Sequence, residues 1–264
     1  MMQYFFTGSF LLLCSFTHLA SAQVIEDTLS AEQKFQEKLS ALTQEFERDG
    51  YEIELLLRDE RFEVYESIGN RFRNSAERTT PTLNEYKKIL DFDTKMNKGV
   101  EFLHTHEEQL KKAEQEYGIS RHLITAIIGI ESQYGQVLGS YNPFNVYVSM
   151  IAVDYRADFA NAQLKELLAF TQRKNIDVFT LKSSYAGAMS PAQFIPYSVN
   201  KWWVGDDIFD MNNSIMSVGN YLAYFKERTN SLRTTVLRYN PSDLYADTIL
   251  DLADAIEEAE TNKD

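Results

Sequence analysis

Apolar residues recur three and four positions apart over most of the chain beyond residue 30, a period that predicts helices rather than strands. Phe35, Leu39, Leu42 and Phe46 form the first such stripe. Ser30 with Gln33 three residues on fits a capping box at its start, and Gly50 closes it. Tyr51 to Arg73 carries only short apolar runs in a charged setting, and Asn74 to Thr82, with Pro81, reads as a connecting loop. From Leu83 to Tyr117 the spacing of Leu90, Val100, Leu103 and Leu110 predicts one long helical stretch ended by Gly118. Arg121 to Tyr134 is more strongly apolar and stops at Gly135, and Val146 to Phe170 continues in the same style.

Ser183 to Ser198 breaks the period. Gly187, Pro191 and Pro196 alternate there with Tyr185, Met189, Phe194 and Ile195, which predicts an ordered loop. Two helices follow, marked by Ile215, Val218, Leu222 and Phe225, and by Leu244, Thr248, Leu252 and Ile256. Asn240 reads as the N-cap of the last one, with Pro241 at its first position. With 11 glycines and 5 prolines in 264 residues, breakers are scarce. The class is all-α.

The first 22 residues follow another pattern. A short apolar core (Phe5, Phe6, then Phe10 to Phe16) precedes Ala20-Ser21-Ala22, which predicts a secretory signal peptide over 1–22 cleaved after Ala22. The core is too short for a spanning helix. Cys14 is the single cysteine, so the exported protein carries no thiol and depends on its core for stability. Lipid attachment at Cys14 fits less well, because Leu13 stands where a small residue is wanted. The expected location is the periplasm.

Charge narrows the function. The formal net charge is −13 and no Lys/Arg run offsets it, which argues against nucleic acid as a partner. His104 and His106 fall on different faces of a helix, so neither a metal site nor a catalytic dyad is expected. Nucleophile elbow, phosphate loop and dinucleotide fingerprint are missing. Glu131 stands out instead. Ile124, Ile127 and Ile128 precede it by seven, four and three residues, so a carboxylate ends an isoleucine face. Two readings are open at this point. Burial would raise its pKa and suit it to acid/base work, or it turns to solvent at the helix end or pairs with an arginine.

The segment Ile127-Ile128-Gly129-Ile130-Glu131-Ser132-Gln133-Tyr134-Gly135 resembles the catalytic helix end of lytic murein transglycosylases. Ser183-Ser184-Tyr185-Ala186-Gly187-Ala188-Met189-Ser190-Pro191-Ala192-Gln193-Phe194-Ile195-Pro196 resembles their second signature, and Arg238-Tyr239-Asn240-Pro241-Ser242-Asp243-Leu244-Tyr245 their third. The three occur in the family's order, over roughly residues 30 to 258, and fit the membrane-bound lytic transglycosylase B type. The resemblance implies a lysozyme-like helical domain with a glycan groove, built as an N-terminal helical region (23–110) packed on a catalytic core (111–264). It implies cleavage of the β-1,4 bond between N-acetylmuramic acid and N-acetylglucosamine, with Glu131 as the single acid/base and a 1,6-anhydro product. No metal or organic cofactor is implied. Peptidoglycan strands are the implied partner, with cell-wall synthesis or divisome proteins as further candidates.

Residue by residue, the resemblance carries substrate-binding roles to Tyr86, Ser132, Tyr134, Arg156, Ser184, Gln193, Tyr239 and Asn240. Each has a plainer reading. Asn240 would only cap a helix, Ser184 would be a turn residue, and Tyr86 and Tyr134 would be packing aromatics. Ser190-Pro191-Ala192 replaces a more glycine-rich stretch, and the chain between Asp210 and Arg238 is short for the family, so a calcium-loop region is absent. A true hydrolase would want a second carboxylate, for which Asp154 and Asp158 are the nearest candidates, and a non-enzymatic exported helical protein that binds glycan or a cell-wall synthesis partner is the remaining alternative.

Overall fold

The computed structural model describes residues 30–69 and 81–262; the signal peptide expected over 1–22, with Cys14, lies outside them. The chain divides after Gly50 into two compact units, and residues on both sides of 110 lie in the second. In the first, the helix α1 (Ala31–Arg48) opens as the spacing predicts. The Ser30 side chain accepts from the Gln33 amide, and the Gln33 side chain accepts from the Ser30 amide at 2.8 Å.

The second unit holds the further α-helices α2 (Ile53–Leu57), α3 (Leu83–Ile89), α4 (Phe92–Thr105), α5 (Glu107–Tyr117), α6 (Arg121–Ser132), α7 (Pro143–Ala152), α8 (Ala157–Lys174), α9 (Pro196–Trp202), α10 (Met211–Thr229), α11 (Leu232–Tyr239) and α12 (Asp243–Thr261), with a short 3-10 helix at Val178–Thr180. The single stretch expected from Leu83 to Tyr117 is three helices. Asp91 adopts a left-handed conformation (φ 55°) and breaks the first junction, and His106 (φ −115°, ψ 25°) breaks the second. Asp154 and Arg156, both at positive φ, divide Val146 to Phe170 in the same way. Hydrophobic period runs through such breaks undetected, because none of them needs a glycine or proline.

The last helix also begins later than expected. Ser242, not Asn240, is its N-cap and accepts from the Tyr245 amide, while Asn240 ends α11. Thr82 supplies α3 with a capping box through Glu85.

α6 is the centre of this unit, packed by α4, α5, α10 and α12. All residues from His122 to Gly129 are buried, so the helix is buried on every side rather than along one stripe. Ile124, Ile127 and Ile128 are 0% exposed, and each such side chain contributes about 1.5–3 kcal/mol. Only its two ends, at Arg121 and at Ile130 and Glu131, come to the surface. Among the described residues there are no regular strands; three isolated bridges (Tyr141 with Ser183, Ser183 with Met189, Met189 with Phe194) stitch the 183–196 loop together.

Candidate active site

The end of α6 is shaped by two consecutive left-handed residues, Gln133 (φ 50°) and Tyr134 (φ 60°). They turn the chain sharply, so that Glu131 stays in the final helical turn while Tyr134 folds back against the helix. A Cβ on Gly129 would come within 2.5 Å of the Tyr134 ring, so only glycine leaves room for it. The Tyr134 hydroxyl donates to the Lys95 carbonyl at 2.7 Å. Ser132 is 0% exposed. Its hydroxyl donates to the Ile128 carbonyl and accepts from the Gly135 amide. This places Ser132 under the site rather than on its surface, and Tyr134 partly in its wall.

Glu131 is half-buried, and burial pushes its carboxyl up to about 7. Against this, the Tyr245 hydroxyl donates to Oε1 at 2.6 Å and pulls the pKa down. Among the described residues no arginine or lysine pairs with it, which argues against the reading of a salt-bridged helix end. Among the described residues no second carboxylate contributes to the shift of Glu131, Asp154 and Asp158 included. Tyr86, Tyr239 and Tyr245 all feel the charge of Glu131, and burial raises the pKa of each hydroxyl further. Three phenols from α3, α11 and α12 thus gather about one carboxyl group. Tyr86 and Tyr239 were expected there; Tyr245 was not, although it stands in the third motif. A buried tyrosine on an amphipathic helix looks like a core residue, and its only sequence signal is the motif itself.

The second motif folds as a tight hairpin. Met189 and Phe194 exchange backbone hydrogen bonds at 2.8 Å in both directions. Ser190 (φ 72°) and Gln193 (φ 50°) take left-handed conformations without glycine. The Ser190 hydroxyl accepts from the Ala192 amide, and the Gln193 side chain donates to the Ser190 carbonyl. The departure at 190–192 is thus accommodated by local hydrogen bonds. Tyr239 donates to the Ala192 carbonyl at 2.5 Å, tying the third motif to the second. Ser184 is half-buried and closes the turn to Ala188. Arg156 lies over the Phe159 ring at 4.3 Å, between α7 and α8. Asn240 is exposed and is relieved of capping by Ser242.

Two clefts border these residues. One, of about 260 Å³, is lined by Glu131, Gln133 and Tyr134 together with Ile89, Asp91, Lys95 and Lys98. The other, of about 270 Å³, is lined by Gln193 and Tyr239 with Tyr197, Trp202, Tyr221 and Arg238. Ile89 (70% exposed) and Val137 (50%) stand bare on the first. A half-neutral carboxyl in an open cleft can donate a proton and take one back, and flat aromatic surfaces suit sugar faces.

Residues 32–230 match the family model described as the Transglycosylase SLT domain. The chain is 31% identical to membrane-bound lytic murein transglycosylase B of Escherichia coli (strain K12) over 145 residues, 53% of this chain and 40% of that relative's length. Among solved structures it is similar to the soluble lytic transglycosylase SltB1 of Pseudomonas aeruginosa, with a TM-score of 0.74 and 25% identity, over 86% of this chain and 99% of that one. SltB3 of the same organism, solved in complex with NAG-anhNAM-pentapeptide, matches in fold at a TM-score of 0.75 and 20% identity, over 85% of this chain and 80% of that one. A family match spanning most of the described helices, on a carboxyl group placed at the end of a buried helix, leaves no ambiguity of kinship: the chain belongs to the Transglycosylase SLT domain family.

Proposed function

We propose that this protein cleaves the β-1,4 bond between N-acetylmuramic acid and N-acetylglucosamine in peptidoglycan, leaving a 1,6-anhydro end. The observation that carries this reading is Glu131, half-buried, held near pKa 7 and hydrogen-bonded by a phenol instead of a cation. In its neutral form it donates a proton to the glycosidic oxygen. As a carboxylate it then accepts the proton of the muramyl 6-hydroxyl as that oxygen attacks the anomeric carbon. One group serves both steps because its pKa lies near the working pH, so neither protonation state is costly. The substrate supplies the nucleophile, which is why a second carboxylate is not required.

Tyr86, Tyr239 and Tyr245 would orient the carboxyl and the sugar beside it. Gln193 and Asn240 offer amides to the N-acetyl and hydroxyl groups, and the aromatic cleft at Trp202 and Tyr197 offers a stacking surface for a further sugar. Ser184 and Arg156 are proposed contacts farther along the strand. Export to the periplasm through the 1–22 leader belongs to the same reading. Among the described residues no helix is long and apolar enough to cross a membrane. The test is digestion of purified sacculi followed by mass spectrometry. Anhydro-muramyl products are expected; reducing ends alone would replace the transglycosylase by a hydrolase.

A further inference from the structure

Lys95 is the most deeply buried lysine of the described residues, at 8% exposure, on the first half of α4. Among the described residues its ammonium makes no hydrogen bond and no ion pair; Asp91 acts on it only through its field. Lys98 follows three residues later on the same helical face, and its ammonium reaches only the neutral Gln136 side chain, at a long 3.4 Å. Both lysines line the Glu131 cleft. Burial partly desolvates this ammonium and pulls its pKa below the usual lysine value, and an anion bound in the cleft would offset that cost. That cation also sits in a protein of net charge −13, which has carboxylates to spare for pairing it. Glu131 is not the partner, since its shift comes from burial and Tyr245 alone. A bare glycan of N-acetylated sugars offers no anion either. The anionic groups of a peptidoglycan strand hang from the 3-O-lactyl arm of the muramyl sugar, as a free lactyl carboxylate or as the carboxylates of an attached peptide.

We propose that Lys95 and Lys98 form a carboxylate-binding subsite in the Glu131 cleft, which takes the anionic arm of the muramyl sugar. The proposal rests on the peptidoglycan reading and deepens it. Lys98 makes first contact at the half-exposed mouth, and Lys95 receives the carboxylate deeper in, where the lower dielectric strengthens the pair. Such a subsite would set which muramyl sugar lies over Glu131, so it fixes register along the strand.

The experiment measures binding to the Glu131→Gln protein by calorimetry, with soluble strands of three kinds: peptide-bearing, peptide-free with free lactyl carboxylates, and peptide-free with those carboxylates methyl-esterified. Lys95→Met and Lys98→Gln in that background are each expected to weaken binding of a carboxylated strand by about tenfold, the effect of losing one charge-assisted hydrogen bond. Binding of the esterified strand should not change, and Lys95→Arg should restore most of the loss. Whichever carboxylated strand loses more names the arm that is read. Lys98 is half-exposed, so its variant keeps the test valid if Lys95→Met fails to fold. Equal losses on the esterified strand, or no loss on either carboxylated strand, would overturn the subsite. Anhydro products from the unmodified protein are scored separately, so the subsite can fail while the enzymatic reading stands, and the reverse.

Discussion

The antiparallel pair α6 and α12 carries a carboxyl group at each end, and the two are treated in opposite ways. At one end Glu131 meets only the neutral hydroxyl of Tyr245, and burial lifts its pKa to about 7. At the other end Glu260 is also pushed up by burial, but hydrogen bonds from His122 at 2.8 Å and Arg121 at 2.9 Å outweigh this and hold it below the usual range. The helices and the packing are shared. The difference lies in whether a cation is supplied. A carboxylate with a guanidinium serves as a clasp that stays charged; one given a phenol can change protonation near neutrality.

The largest effect expected from breaking this contrast is at Glu131. Glu131→Gln keeps the shape and removes the titrating proton, and release of products from sacculi should fall by roughly 10³-fold or more. Activity within tenfold of the unmodified protein would remove Glu131 from the chemistry. The same variant should change the pH dependence of stability. The native carboxyl titrates near pH 7 when folded and near 4.5 when unfolded. Between those values the unfolded chain loses its proton first, so native stability falls as pH rises through the interval and levels off above 7. In urea titrations Glu131→Gln should match the native protein at pH 4 and exceed it at pH 8 by on the order of 3 kcal/mol. A pH-independent difference would show that the carboxyl is not desolvated.

The opposite end gives the converse. Glu260→Gln strands Arg121 and His122 and should cost about 2 kcal/mol at neutral pH. Since Glu260 is held below its ordinary value, the stability it adds is present above the unfolded pKa and is lost as pH falls through the folded one. The gap between variant and native protein should therefore close in acid. Activity should stay within about twofold, because ten residues of helix put the two ends about 15 Å apart, beyond usual coupling range. A large loss of activity would mean that the clasp positions Glu131 through the helix.

The contrast between the two ends was only half legible in the sequence. The isoleucines at 124, 127 and 128 marked Glu131 as a carboxylate on an apolar face, but periodicity could not say whether a cation waited for it. That depends on residues more than a hundred positions away: Tyr245 for Glu131, and Glu260 for Arg121 and His122. Helix starts with side-chain caps, such as Ser30 with Gln33, were readable because capping is local. Breaks at Asp91, His106 and Asp154 were not, since left-handed or bridging residues there carry no glycine or proline. Asn240 before Pro241 looked like a cap, yet Ser242 does the capping. Lys95 was hidden too. Nothing in its neighbours marks it, and only the packing of α4 buries it.

The finest change is the loss of one oxygen. Tyr245→Phe keeps the ring, which is 2% exposed and part of the core, and removes the donor to Oε1. Because that hydrogen bond favours the charged carboxyl, its loss should raise the pKa of Glu131 beyond about 7. Proton donation then persists to higher pH, while each neutral carboxyl becomes a weaker acid toward the glycosidic oxygen. Turnover at pH 7 should fall by about tenfold, the size of one such hydrogen bond, with substrate affinity little changed. The alkaline limb of the pH–rate profile should move upward. A purely structural tyrosine would lower stability and leave that limb in place, so the profile separates the two roles. Should the limb move downward instead, the phenol would be favouring the neutral acid, and Glu131 would owe its poise near neutrality to Tyr245 as well as to burial.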